Sequence, residues 1–209
     1  MIKVFFLIFE PGVAWEKIAQ ARRGLLHITA LQLLPLLLLG SALEIWGLKE
    51  HGKWQPKYQM FKRFFPEDVY TFEVVQFVLL LLVVFVCALL VYKIAQTFQD
   101  RLTFLQAFTT IAYGFTPMFL VHFLDASATM HPAITWVIGV GITIWVLYQG
   151  IPRVMQPDPT HAFGVYLSTA FVVILTSGLA RLLTAMYLLG YMDLHHSWLS
   201  QKISHLLGH

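Results

Sequence analysis

Residues 162–190 read AFGVYLSTAFVVILTSGLARLLTAMYLLG, and in 29 positions Arg181 is the single charge. As a helix this run measures roughly 43 Å at 1.5 Å per residue, against a bilayer hydrocarbon core of roughly 30 Å. It is read as a membrane span with length to spare. That spare length places Arg181 near the far interface, where its long stem lets the guanidinium snorkel to the headgroups. The alternative puts Arg181 inside the bundle. Ser177 and Thr184 then share its face, and Asp125, Glu44 or Glu73 serves as the acidic partner. An ionisable residue at membrane depth is a functional candidate by default.

The rest of the chain fits the same solvent. Of 209 residues, 58% are hydrophobic and 12% charged, where a soluble domain carries about 25% charged residues. Besides the opening run, long uncharged gaps separate Arg23 from Glu44, Glu73 from Lys93, Arg101 from Asp125, and Asp125 from Arg153. Five spans follow, near 25–46, 73–95, 103–124, 133–150 and 162–189. None shows the alternation of a barrel strand, and a single segment in lipid must satisfy its own backbone, so the spans are helices. The expected fold is an all-α polytopic membrane bundle in one domain, 1–209. It divides into an interfacial segment 1–24, a five-span bundle 25–190 and a polar tail 191–209.

Upstream of the opening run lies YQGIPRVMQPDPTHAFG, residues 148–164. Gly150 and Pro152 suit the end of one helix. Pro157 and Pro159 bias the residues before them away from helical angles. Asp158 and Thr160 are candidates to cap the next helix. A connector explains the stretch without chemistry. Pro35 and Pro117 are expected to kink the first and third spans. Gly139 and Gly141 in the fourth suit close helix packing, with a bent, cavity-lining helix as the sharper alternative.

Residues 11–23, PGVAWEKIAQARR, pattern as a short amphipathic helix lying on the membrane, with Trp15 in the headgroup zone. The apolar stretch before it is short for a signal peptide, so this end is expected to be kept. The loop 47–72 mixes lysines with Trp54, Tyr58, Phe61, Phe64 and Phe65, which suits the interface. With the N-terminus inside, inner segments hold Lys3, Lys17, Arg22, Arg23, Lys93, Arg101 and Arg153. Outer segments hold Lys49, Lys53, Lys57, Lys62, Arg63 and Lys202. The seven-to-six balance leans towards N-inside and C-outside.

Sites of chemistry are few. Cys87 stands alone, which excludes an intrachain disulfide and points to a buried inert thiol. His195, His196, His205 and His209 crowd the tail, where a polar interfacial segment accounts for them. His27 and His122 are the residues that could contact haem or quinone. Nucleotide loops, nucleophile elbows and Cys-x-x-Cys pairs are absent, so no catalytic residue, metal ligand or resident cofactor is assigned. The net charge of +3 comes without a basic stripe, and no nucleic-acid partner is expected.

Tyr113-Gly114 with Pro117, and Tyr148 with Gly150 and Pro152, form a Tyr-Gly-x-x-Pro followed by a Tyr-x-Gly-x-Pro. With FEPGVAWEKIA near the start, this pattern resembles the Yip (Rab/Ypt-interacting protein) membrane-domain family. The resemblance implies five spans, a cytoplasmic N-terminus and a C-terminus on the other side. Eukaryotic members are Golgi and endoplasmic-reticulum proteins that interact with Rab-type GTPases, and there are many bacterial members. The short N-terminal region points to a bacterial-type protein of the inner membrane. The expected role is a non-catalytic scaffold or accessory subunit that binds another integral membrane protein or itself, or organises membrane lipid. The alternatives are a transporter or lipid-translocating protein using Arg181, and an accessory subunit of an electron-transfer complex.

Overall fold

The computed structural model describes residues 7–98, 102–127 and 129–191. The four tail histidines lie outside them. The chain is mostly helical. A short helix α1 (Pro11–Ala21) precedes α2 (Leu25–Glu50), α3 (Pro66–Phe98), α4 (Phe104–Gly114) with α5 (Thr116–Val121), α6 (Pro132–Val154) and α7 (Ala162–Leu188). Helices α2, α3, α4 with α5, α6 and α7 supply five segments long and apolar enough to cross a membrane. Their outer faces carry exposed Leu38, Leu39, Val78, Leu82, Leu90, Val137, Phe171 and Leu179. Exposed leucines in such number suit lipid rather than water.

Each proline leaves a local mark. Ahead of Pro35 the backbone widens into a π turn over Thr29–Leu33, a usual site of helix distortion. The third span breaks at Phe115, and Pro117 occupies the first turn of α5, where a missing N–H costs nothing. It then tightens into a 3₁₀ turn at His122–Ala126. The fourth span differs from expectation. It runs through Pro152 to Val154, so Gly150 and Pro152 lie inside the helix rather than at its end. The stop comes at Gln156, whose positive φ of 49° and N–H bond to Ile151 O close the last turn. Nor does Asp158 or Thr160 cap α7, whose N-cap is His161. Instead Asp158 Oδ1 accepts from the Thr160 backbone N–H at 2.9 Å and from its hydroxyl at 2.7 Å. This Asx turn holds the Asp158 carboxyl below its ordinary range.

The first loop is shorter than 47–72, because α2 runs to Glu50 and α3 starts at Pro66. Between them lies a small antiparallel hairpin that sequence patterning missed, β1 (Lys53–Gln55) and β2 (Met60–Lys62). Its strands are three residues each, too short for an alternation signal. Trp54 and Phe61 pair across it at 5.1 Å between ring centroids. Gly52 turns into it with φ +69°, and an added Cβ would lie 2.5 Å from Lys62 O. Phe64, Phe72 and Tyr187 stack beneath it, joining the starts of α3 and the end of α7.

Candidate functional site

The family-like motif residues build one end of the bundle. Trp15 is fully buried and does not face the headgroup zone. Its indole N–H donates to Val146 O at 3.0 Å, and its ring lies over Gly150. A Cβ on Gly150 would sit 2.4 Å from that ring. Gly114 makes the same opening for Leu147, at 2.4 Å. The Tyr113 ring meets Trp15 edge-on at 6.4 Å, and its hydroxyl accepts from Arg23 at 3.1 Å. Both motif glycines therefore exist for close packing. Gly150 locks α1 onto α6 rather than leaving it free on a membrane surface, and Gly114 brings α4 against α6. Pro117 is buried at the helix break. Tyr148 stays 61% exposed beside Tyr166, and Pro152 is also exposed. Of the two glycines in the fourth span, Gly139 packs on Met118, while Gly141 faces open space.

The hairpin end is built from charges. Arg181 is buried and does not snorkel. One guanidinium nitrogen, Nη2, donates to Asp125 Oδ2 and Thr135 Oγ1, both at 2.6 Å, while Nε donates to Pro132 O at 2.9 Å. Of the three proposed acidic partners, Asp125 is the one that pairs with it. Thr135 donates in turn to Asp125 Oδ1 at 2.7 Å. On the other side of Asp125, His122 Nδ1 lies 2.7 Å from Oδ2. The second ring nitrogen of His122 lies 3.0 Å from Glu44 Oε2, which also accepts from Gln76 Nε2 at 2.6 Å. With a carboxylate at each ring nitrogen, this histidine offers no free ligand atom. His27 is exposed near the start of α2, at the opposite end, so the two candidate haem histidines do not meet. Among the described residues, no group of three His, Cys, Asp or Glu side chains could hold a metal ion. Cys87 is buried, as expected.

Lys53 closes the network from β1. It is 2% exposed, and its ammonium donates to Asp125 O at 2.9 Å and Ser127 O at 2.8 Å. Burial holds this lysine below its usual range, while the nearby Asp125 and Glu44 charges act the other way. Glu44 reaches the network because Gly40 and Gly47 flank it on the same face of α2. A Cβ on Gly47 would be 2.3 Å from Ala126 O, and one on Gly40 would be 3.2 Å from Phe123. The Gly-x₃-Glu-x₂-Gly spacing, residues 40, 44 and 47, was the available signal for this part, and it was overlooked. Beside the network lies a small, partly open cleft lined by Gln76, His122, Thr135, Trp136, Ser177 and Arg181 among others.

Five long apolar helices around a buried ion network define a multi-pass integral membrane protein. The Yip1 domain family model matches residues 5–181, and the chain belongs to that family. Yip1-domain proteins are in general non-catalytic trafficking proteins that bind Rab GTPases. No curated protein and no solved structure matches the chain significantly.

Proposed function

We propose that this protein is a non-catalytic membrane scaffold or accessory subunit, which binds another integral membrane protein or a second copy of itself and organises the lipid around it. The observation that carries this reading is the state of Arg181. Its guanidinium is held by a carboxylate, a hydroxyl and a carbonyl from the segment 125–135. It ties the last span to the third and fourth and is not left to attract a solute. The exposed Tyr148 ring, beside Tyr166 on the face of α6 turned away from Trp15, offers a partner contact. Family membership supports a binding role over a catalytic one.

The reading includes a bacterial inner membrane and a cytoplasmic N-terminus. Lys53 sharpens the charge balance, because a lysine buried on two carbonyls does not meet a lipid surface. Removing it changes the count to seven basic residues inside against five outside. Native mass spectrometry after gentle extraction tests the scaffold. The expected result is a stoichiometric partner protein or a homo-oligomer with retained lipid. A lone, lipid-free monomer that drives solute flux in vesicles would contradict it. The cleft beside Arg181 is the one feature that favours transport or lipid translocation, and the vesicle assay addresses that reading directly.

A further inference from the structure

Between α2 and α3, four buried oxygen atoms lack a hydrogen-bond donor: Glu44 Oε1, both Glu73 oxygens and Gln76 Oε1. Their three side chains are at most 3% exposed. Glu73 and Gln76 lie three residues apart on α3 and share a face. The Gln76 amide nitrogen donates to Glu44 Oε2 at 2.6 Å, which draws that face against α2. With its nitrogen turned to the carboxylate, the amide oxygen is left over. The Ser41 hydroxyl, one turn before Glu44, is the one donor beside Glu73; it bears on a single carboxylate oxygen at most and does not reach good hydrogen-bond geometry.

Positive groups stand near but are engaged elsewhere. Arg181 serves Asp125, Lys53 serves two backbone carbonyls, and His122 bridges Asp125 and the other Glu44 oxygen. The charges that face Glu73 are Glu44 from α2, and His122 and Asp125 from the 3₁₀ turn. A buried carboxylate without a partner is strongly disfavoured. Buried polar groups in native proteins are almost always satisfied. The unpaired atoms are all oxygens, which suit hard cations. A calcium ion asks for about 6–8 such ligands, more than these three side chains and one hydroxyl offer.

We infer that Glu44, Glu73, Gln76 and Ser41 form a binding site for a small monovalent cation, either a sodium ion or a proton. The site is independent of the scaffold reading, since these oxygens lie unpaired inside the bundle whatever the protein binds outside.

The test uses the whole protein in nanodiscs of zwitterionic lipid. Sodium chloride replaces choline chloride at constant ionic strength and pH 8, and the thermal midpoint is followed. Infrared spectra in choline chloride then look for the C=O stretch of a protonated carboxyl group. A saturable rise of the midpoint with sodium, abolished in Glu73→Gln, supports a sodium site. A protonated-carboxyl band present in the wild type and missing in Glu73→Gln supports a proton site. If Glu73→Gln does not fold, Glu73→Asp keeps the acid but moves it, and shifts whichever signal the wild type shows. Indifference to sodium together with the lack of such a band in the wild type overturns the inference. So does a sodium response or band that neither Glu73 variant alters.

Discussion

The two ends of this bundle are held together by opposite means. At the α1 end, the contacts are aromatic and aliphatic, and two glycines let Trp15 and Leu147 approach the backbone. At the hairpin end, Asp125 sits at the centre of contacts to Arg181, Thr135 and His122, and its carbonyl receives Lys53. The first end is a fit of shapes. Its strength comes from packing, and it fails when volume is added or removed. The second is a mutual neutralisation of charges. It fails when one member is lost and the others are left buried without partners. A membrane bundle gains little from apolar burial alone, because lipid tails are as apolar as leucine. Dense glycine packing and internal polar ties are the two remaining ways to fix helices in place; the α1 end relies mainly on the first, and the hairpin end adds the charge network to the close approaches at Gly40 and Gly47.

That contrast can be broken from either side, beginning with the largest effect. Asp125→Ala strips Arg181, Thr135 and His122 of a common acceptor, and is expected to cost about 3–5 kcal/mol, the scale for half-removing a buried pair. Thermal unfolding in mild detergent measures it. Trp15→Ala empties the opposite end. The loss of a large buried ring costs about 3 kcal/mol, and limited proteolysis should then cut between α1 and α2. Gly150→Ala overfills the same place and is expected to cost about 1–3 kcal/mol, while the matched change Gly141→Ala, in open space, should leave the midpoint unchanged or slightly raised. A Gly141 variant as harmful as the Gly150 one would remove the packing explanation.

Smaller effects sharpen the comparison. Tyr148→Ala is expected to move stability by no more than about 0.5 kcal/mol, as for other exposed positions, while reducing the partner recovered on native extraction. Asp158 gives the smallest signal. Its folded carboxyl lies below the ordinary range, so its contribution is present above that range and is lost as pH falls towards the lower folded value. Asp158→Asn should therefore narrow its gap to the wild type as the medium is acidified below about pH 4, the ordinary aspartate value. A gap that widened on acidification would reverse the assigned sign.

How legible each end was in the sequence follows from the same physics. Spans show in sequence because they are contiguous: the gaps between charges located all five helices to within four residues at each end, apart from α3, which starts at Pro66 rather than 73. Tyr113, Gly114 and Gly150 were singled out by the family-like pattern; read by itself, Gly150 pointed to a helix end rather than to close packing. Their partner Trp15 was misplaced. An indole on a short amphipathic helix looks the same whether it faces headgroups or a neighbouring helix. The polar network was legible in parts only. Arg181 and Asp125 could be named as possible partners, but the length of α7 argued for snorkelling. What defeats that argument is the 3₁₀ turn, which brings Asp125 and the start of α6 to the guanidinium. Lys53 was hidden in a hairpin too short to leave a pattern, and Gln76, an isolated polar residue in a long apolar helix, was not singled out.

The central claim is that Arg181 and Asp125 form a structural tie within a scaffold, and one double variant tests it. Arg181→Met and Asp125→Leu are made singly and together, and each protein is examined for its melting temperature and for the partner it retains on native extraction. Each single variant should be strongly destabilised. The double variant should recover most of the melting temperature, because both charges are gone, and should retain the partner. A double variant that folds like the wild type yet loses its partner, or abolishes a flux that the wild type supports, would make the pair part of the activity and contradict the account.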